Sequence, residues 1–182
     1  MKTKRIIKLH LGCGKKYIPG FIHVDIRKFD HIDYIASVDN LNMFKDNSVN
    51  MIYASHILEH FKRFETEKVL NEWYRVLEKG GILRVAVPDF EKIAKVYLKN
   101  RNLDELIGLL YGGQTYENNY HYRIFDFQSL SNILRKVGFK KIYRYDWRKT
   151  IHKDYDDFSQ SYLPHMDKKN GTLMSLNIEA IK

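Results

Sequence analysis

Apolar residues along the chain fall into two spacings. Short, nearly unbroken apolar runs occupy residues 5–11, 21–25, 32–36, 49–54 and 82–87. Runs of that length, bounded by turn residues, predict strands. After the fourth run, Val69, Leu70, Trp73, Val76 and Leu77 recur at helical spacing. They predict a helix over Glu65–Glu78 that ends at Gly80-Gly81. Pro88 stops the fifth strand, and Asp89 sits where a cap for a helix over Phe90–Leu98 belongs. A shorter helix is predicted over Leu103–Leu110. Asp126 precedes an amphipathic helix, Phe127–Val137, closed by Gly138. Phe139–Tyr145 and Ser175–Ile181 read as the sixth and seventh strands, the last alternating Leu176, Ile178 and Ala180. Strands alternating with helices predict one α/β domain over residues 1–182, with a mostly parallel sheet and helices on both of its faces.

Two stretches escape both spacings. Residues 111–122 hold four tyrosines, two glycines and almost no aliphatic residue. Such a segment cannot form a core element; it suits an ordered loop that grips a polar ring. Residues 146–174 are long for a hairpin connection and carry Asp156, Asp157, Phe158, Tyr162 and His165. Their length and aromatic content predict a lid or substrate loop.

The candidate chemistry begins at Leu11-Gly12-Cys13-Gly14. Two glycines at the end of a strand let the backbone turn sharply and let a ligand approach with no Cβ in the way. The next strand ends in Asp25. A strand, a glycine turn and a carboxylate closing the following strand is how doubly wound sheets hold a nucleoside, the acid taking the ribose hydroxyls. A dinucleotide fingerprint would need a third glycine where Tyr17 stands, and Pro19-Gly20 argues against a full helix in the crossover. A nicotinamide enzyme is therefore the weaker reading. Further on, His56, Glu59 and His60 stand at i, i+3 and i+4, on one side of any helix there. That trio suits a base with its orienter, or a metal.

The motifs together resemble class I S-adenosylmethionine-dependent methyltransferases. Leu11-Gly12-Cys13-Gly14 with Val24-Asp25 is similar to that family's first two motifs, Ser55 to Phe61 to the segment after its fourth strand, and Trp73 to Leu83 to the helix and turn entering its fifth. The resemblance spans roughly residues 5 to 90. It implies a Rossmann-like seven-stranded sheet, mostly parallel with the last strand antiparallel. It implies S-adenosyl-L-methionine as cofactor and no metal. It also implies cofactor contacts from Leu11, Gly12, Cys13, Gly14, Asp25, Ile26, Val38, Asp39, Asn40, Ser55 and His56, with Asp39 in the place that meets the adenine. His10 stands where the family usually has an acid, and Lys16 where its third glycine falls. His56, His121 and His165 are the candidate proton acceptors.

Composition narrows the acceptor. The net charge of +9 gathers at the two ends: residues 1–30 hold eight Lys/Arg against two acids, and residues 135–182 eleven against six. A basic border favours an anionic ligand such as a phosphorylated sugar or nucleic acid, though a solvated lysine-rich surface explains it as well. No apolar run is long enough to span a membrane, and the single cysteine, Cys13, fits a reducing, cytoplasmic setting. The family's nucleic-acid amino-methylating members carry an Asn/Asp-Pro-Pro-aromatic segment where this chain has Ser55-His56-Ile57-Leu58, and cytosine C5 chemistry needs a cysteine there. O- or N-methylation of a small polar molecule or saccharide is the reading left. A non-catalytic cofactor-binding module and an RNA methyltransferase are the alternatives.

Overall fold

The computed structural model describes residues 6–182. The first residue of the first predicted strand lies outside that range. In chain order the elements are β1 (Lys8–Leu11), β2 (Ile22–Asp25), β3 (Tyr34–Ile35), β4 (Val49–Ser55), α1 (Thr66–Val76), β5 (Leu77–Pro88), α2 (Phe90–Asn100), α3 (Ile107–Tyr111), α4 (Phe127–Val137), β6 (Lys140–Arg144), β7 (Tyr162–Leu163), β8 (Thr172–Leu173) and β9 (Ser175–Ile181). Seven strands form one sheet in the order β3-β2-β1-β4-β5-β9-β6, and β7 pairs with β8 in a separate ribbon. Pairing is parallel from β3 across to β5, and β9 runs antiparallel to both neighbours. This is the expected sheet, with its last strand inserted against the direction of the rest.

One expectation is corrected. The helix stops at Val76, and the chain is already paired as strand at Leu77, which stands opposite Val49. Gly80-Gly81 thus lies inside β5 and does not end a helix. Gly80 has φ +80, which glycine adopts without strain, and a register shift follows between the Val49 and Met51 pairings. The predicted helix at 103–110 is also shorter and later, at Ile107–Tyr111.

The two faces of the sheet differ in kind. Successive side chains alternate between faces. One face presents Leu9, Leu11, Val24, Ile52, Ala54, Val85, Ile178 and Ala180, which form a single apolar core with Leu70 and Trp73 of α1 and Leu130 and Leu134 of α4. The alternate positions include His10, His23, Tyr53, Arg84, Asn177 and Glu179, all nearly or fully buried. Residues 146–160 close over this polar face: Asp157 accepts from the Tyr53 hydroxyl, Asn177 Nδ2 donates to the Ser159 carbonyl at 2.8 Å, and the His152 ring lies 3.9 Å from the Tyr53 ring. Arg84 and Glu179 form a buried ion pair at 2.6 Å.

Candidate functional site

The carboxyl ends of β1, β2, β3 and β4 meet at one edge of the sheet, as the parallel pairing requires. In open α/β sheets ligands bind outside this edge. At β1 the chain turns through Gly12 and Gly14, both in the left-handed region (φ +61 and +55) that favours glycine. A Cβ on Gly12 would stand 2.1 Å from the end of the Ile57 side chain, so only glycine lets the β4 turn close over it. Cys13 between them is buried, and burial pushes its thiol up to about 12, leaving an unreactive group.

Asp25 closes β2 with its side chain nearly buried. One carboxylate oxygen accepts from the Gly14 N–H at 2.7 Å and the other from the Arg27 N–H at 2.8 Å. The acid therefore holds the glycine turn in shape. A carboxylate offers about four acceptor positions, so two remain for a ligand's hydroxyls. Ile26 beside it is exposed. After β3, Val38 is buried and its carbonyl takes the Trp73 indole N–H at 2.8 Å. Asp39 is half-buried and accepts from the Ser37 hydroxyl, while Asn40 turns outward. Asp39 caps no helix; Glu72 Oε1 takes the Leu41 N–H at 2.7 Å instead.

After β4 the backbone does something costly. His56 has φ +54, a conformation few non-glycine residues adopt, held by its N–H on the Ala86 carbonyl at 2.8 Å. Its Nε2 lies 3.1 Å from Ser175 Oγ. The Ser175 hydroxyl donates to Asn177 Oδ1, so His56 Nε2 is the donor of that pair. Its Nδ1 stands 3.2 Å from Glu59 Oε1. Nε2 is thus committed to Ser175 while Nδ1 faces the Glu59 carboxylate, which makes His56 a positioning residue. Ser55 Oγ donates to Asp157 Oδ1 at 3.3 Å, and Phe158 packs 5.5 Å from the His56 ring. The predicted lid segment therefore does return to the end of β4.

Glu59 is fully buried in the turn that follows. Burial pushes its carboxyl up, and the imidazoles of His56, His60 and His121 outweigh that and hold it below the usual carboxylate range. His121 comes from the tyrosine-rich loop. That loop is an ordered turn in which Gln114 and Asn119, and Tyr111 and His121, are joined through the backbone. The Tyr122 N–H donates to the Glu59 carbonyl at 2.9 Å, pinning the loop to the β4 turn. Burial lowers the His121 pKa, so its ring is neutral near pH 7. At the loop's far end the Arg27 guanidinium lies 5.0 Å from the Tyr116 ring and packs on Phe29. The loop thus reaches from the β4 turn to the β2 end. Arg27, on this path, lies in no motif, and no local sequence signal points to it.

His56 and His121 are brought together around Glu59. His165 is not part of that group: it stands exposed in the turn between β7 and β8. A groove of 580 Å³ lined by α2 and the start of α4 shares none of these side chains.

The comparisons agree with this geometry. A family model described as a methyltransferase domain matches residues 18–85. No curated protein matches the chain. Among solved structures, the chain is similar to a SAM-dependent methyltransferase from Thermotoga maritima (17% identity, TM-score 0.60, covering 100% of this chain and 84% of that one). It is also similar to a SAM-dependent methyltransferase from Archaeoglobus fulgidus (15% identity, TM-score 0.59, 98% and 87%). A third is the 1,6-didemethyltoxoflavin-N1-methyltransferase of Burkholderia thailandensis (12% identity, TM-score 0.56, 97% and 70%). Residues 18–85 match a methyltransferase-domain model, and the chain has the fold of these solved SAM-dependent methyltransferases.

Proposed function

We propose that this chain binds S-adenosyl-L-methionine at the carboxyl edge of its sheet and methylates an oxygen or nitrogen of a small polar molecule or saccharide, acting as one domain over residues 1–182. The observation that carries the reading is the joint placement of the positive-φ glycine turn and the buried Asp25 carboxylate at adjacent strand ends. The Burkholderia thailandensis enzyme holds bound S-adenosylhomocysteine, which supports the same ligand here.

The residues fit that ligand. Gly12 and Gly14 expose backbone around the turn, Asp25 keeps two acceptor positions for ribose hydroxyls, and Asp39 offers a carboxylate for the adenine amine. Leu11, Cys13, Ile26, Val38, Asn40, Ser55 and His56 complete the set along the same edge. Ile57, now closed on Gly12, turns aside to admit it.

When bound, the sulfonium supplies a methyl group that is already activated for displacement. The work of the chain is to hold the nucleophile in line with it. Loop 111–122 supports that role, because it spans the edge and is anchored at both ends, at Glu59 and at Arg27. A neutral oxygen nucleophile also sheds a proton. His121, neutral and next to Glu59, is placed to receive it.

The test is a transfer assay with methyl-labelled S-adenosylmethionine against a panel of polar amines, hydroxy acids and sugars, with RNA included. Label transferred to one small-molecule class supports the reading. Label on RNA alone contradicts the acceptor class. Tight cofactor binding with no transfer to any acceptor favours the non-catalytic module, which the closed Ile57–Gly12 contact and the bond from His56 Nε2 to Ser175 also suit.

A further inference from the structure

Glu59 presents a problem that the reaction does not solve. It is fully buried, and neither carboxylate oxygen accepts a hydrogen bond. His56 Nδ1 is near, at 3.2 Å, but out of hydrogen-bond alignment. A buried carboxylate whose nearest groups are imidazoles out of hydrogen-bond alignment is costly unless it is paired or coordinates a metal. Around it stand His60, the next residue, and His121, 61 residues further along the chain; their rings lie 4.9 Å apart.

The two imidazoles are prepared in the same way. His121 Nδ1 faces the Leu109 carbonyl at 3.0 Å, and His60 Nδ1 faces the Tyr120 carbonyl at 3.0 Å. A carbonyl only accepts, so each Nδ1 carries the hydrogen and each Nε2 keeps a lone pair. An outer hydrogen bond of this kind is what fixes the tautomer of metal-bound histidine. His121 Nε2 stands 3.9 Å from Glu59 Oε1. One donor atom from each of Glu59, His60 and His121 lies within 4.8 Å of the others. Ligands bound to one tetrahedral zinc stand about 3.4 Å apart, so the set closes on an ion by a shift of about 1 Å.

We propose that Glu59, His60 and His121 form a binding site for one divalent transition-metal ion of the zinc type, with a coordination position left open. Two imidazoles and one carboxylate suit Zn²⁺, Co²⁺ or Fe²⁺ and not the all-oxygen shells of Mg²⁺ and Ca²⁺. Three protein ligands leave a fourth place for water, as in reactive rather than purely structural zinc sites. His56 orients the Glu59 carboxylate from the far side, where Ser175 holds it. The ion would also tie loop 111–122 to the β4 turn, adding to the Tyr122–Glu59 backbone bond. This departs from the metal-free site that the sequence resemblance implies, and it does not depend on methyl transfer; an ion here takes the Nε2 lone pair of His121, so with the ion bound His121 is a ligand and not the proton acceptor.

The test is titration of the chelator-treated full chain with Co²⁺, read by its visible absorption, followed by displacement with Zn²⁺. The expected result is one ion per chain, a melting temperature raised by Zn²⁺, and no competition from Mg²⁺. His60→Ala and His121→Ala should each weaken binding by more than about 100-fold, since loss of an outer-shell partner alone costs about 10–100-fold. His56→Ala should fall in that smaller range, about 10–100-fold. His31→Ala, whose ring lies 5.3 Å from that of His23 in β2 and away from Glu59, should leave binding unchanged. Circular dichroism of each variant shows that it is folded, and half-buried His60 is the substitution least exposed to that risk. No Co²⁺ absorption, binding that survives both His60→Ala and His121→Ala, or binding abolished by His31→Ala would overturn the site. Titration of the same samples with S-adenosylhomocysteine reads the cofactor site separately, so failure of one does not count as failure of the other.

Discussion

The two faces of the sheet are built from the same strands on opposite principles. On the face under α1 and α4, Leu9, Leu11, Ile52, Val85 and Ile178 meet Trp73, Leu70 and Leu134, and burial of apolar area is all that is asked of them. On the other, His10, His23, Tyr53, Arg84, Asn177 and Glu179 are nearly or fully buried, and most of their polar atoms are partnered, though His10 Nδ1 and Arg84 Nη1 are not. The first face tolerates any filling of the right volume. The second accepts only the arrangement in which Asp157 meets Tyr53 and Ser55, Ser159 meets Asn177, and Arg84 meets Glu179. The candidate site hangs from this second face, since Asp157 and Phe158 are what return residues 146–160 to the end of β4.

The comparison can be broken most severely on the apolar side. Trp73→Ala empties the centre of the first core and should cost about 3–5 kcal/mol, read from the urea midpoint. Leu134→Met at the same core should be nearly silent, because volume is kept. On the polar side, Arg84→Met leaves Glu179 buried with only Tyr143 as partner and should cost about 2–4 kcal/mol. The double variant Arg84→Met with Glu179→Leu should recover most of that loss, since the charge and its unmet partner leave together. If the single and double variants are equally unstable, the polar face is not held by partner matching.

Acidification sharpens the contrast. Burial, reinforced by neighbouring His23, lowers His10 to about 3, and burial with Arg84 lowers His152 to about 4. Both imidazoles are neutral in the folded chain where an unfolded histidine, with a pKa of about 6.5, is already taking up protons. Their contribution is therefore intact above about pH 6.5 and is lost progressively as pH falls from there toward about 4. The urea midpoint should drop between pH 7.5 and 5, and His10→Phe should flatten that slope. A smaller loss on the polar face comes from Asp157→Asn, which weakens the bonds to Tyr53 and Ser159 and should cost about 1 kcal/mol.

Much of this was open to reading in the sequence, for a physical reason. Strand runs, the α4 pattern with its Asp126 and Gly138 caps, and the Gly12–Gly14 turn are local signals, and the structure keeps them. The β5 start was misread because Leu77 continues a helical pattern while its partner Val49 lies 28 residues earlier, out of reach of any local spacing. Asp39 is of a type that caps turns, but Glu72 from α1 takes the Leu41 N–H. His56, Glu59 and His60 were visible as a trio on one turn. The third member of the cluster is His121, from a loop with no periodicity, and His56 faces Glu59 from the other side. Arg27 and Ile57 act only through contacts made across the fold.

The central claim is that the Gly12–Gly14 turn and Asp25 hold the cofactor. Calorimetric titration with S-adenosylhomocysteine, using NAD as control, tests it directly on the wild-type chain and on Asp25→Ala, with circular dichroism to show that the variant is folded. The account predicts binding of S-adenosylhomocysteine but not of NAD, weakened about 10–100-fold in Asp25→Ala by loss of charged hydrogen bonds. No binding to the wild type, or equal binding to the two chains, would contradict it.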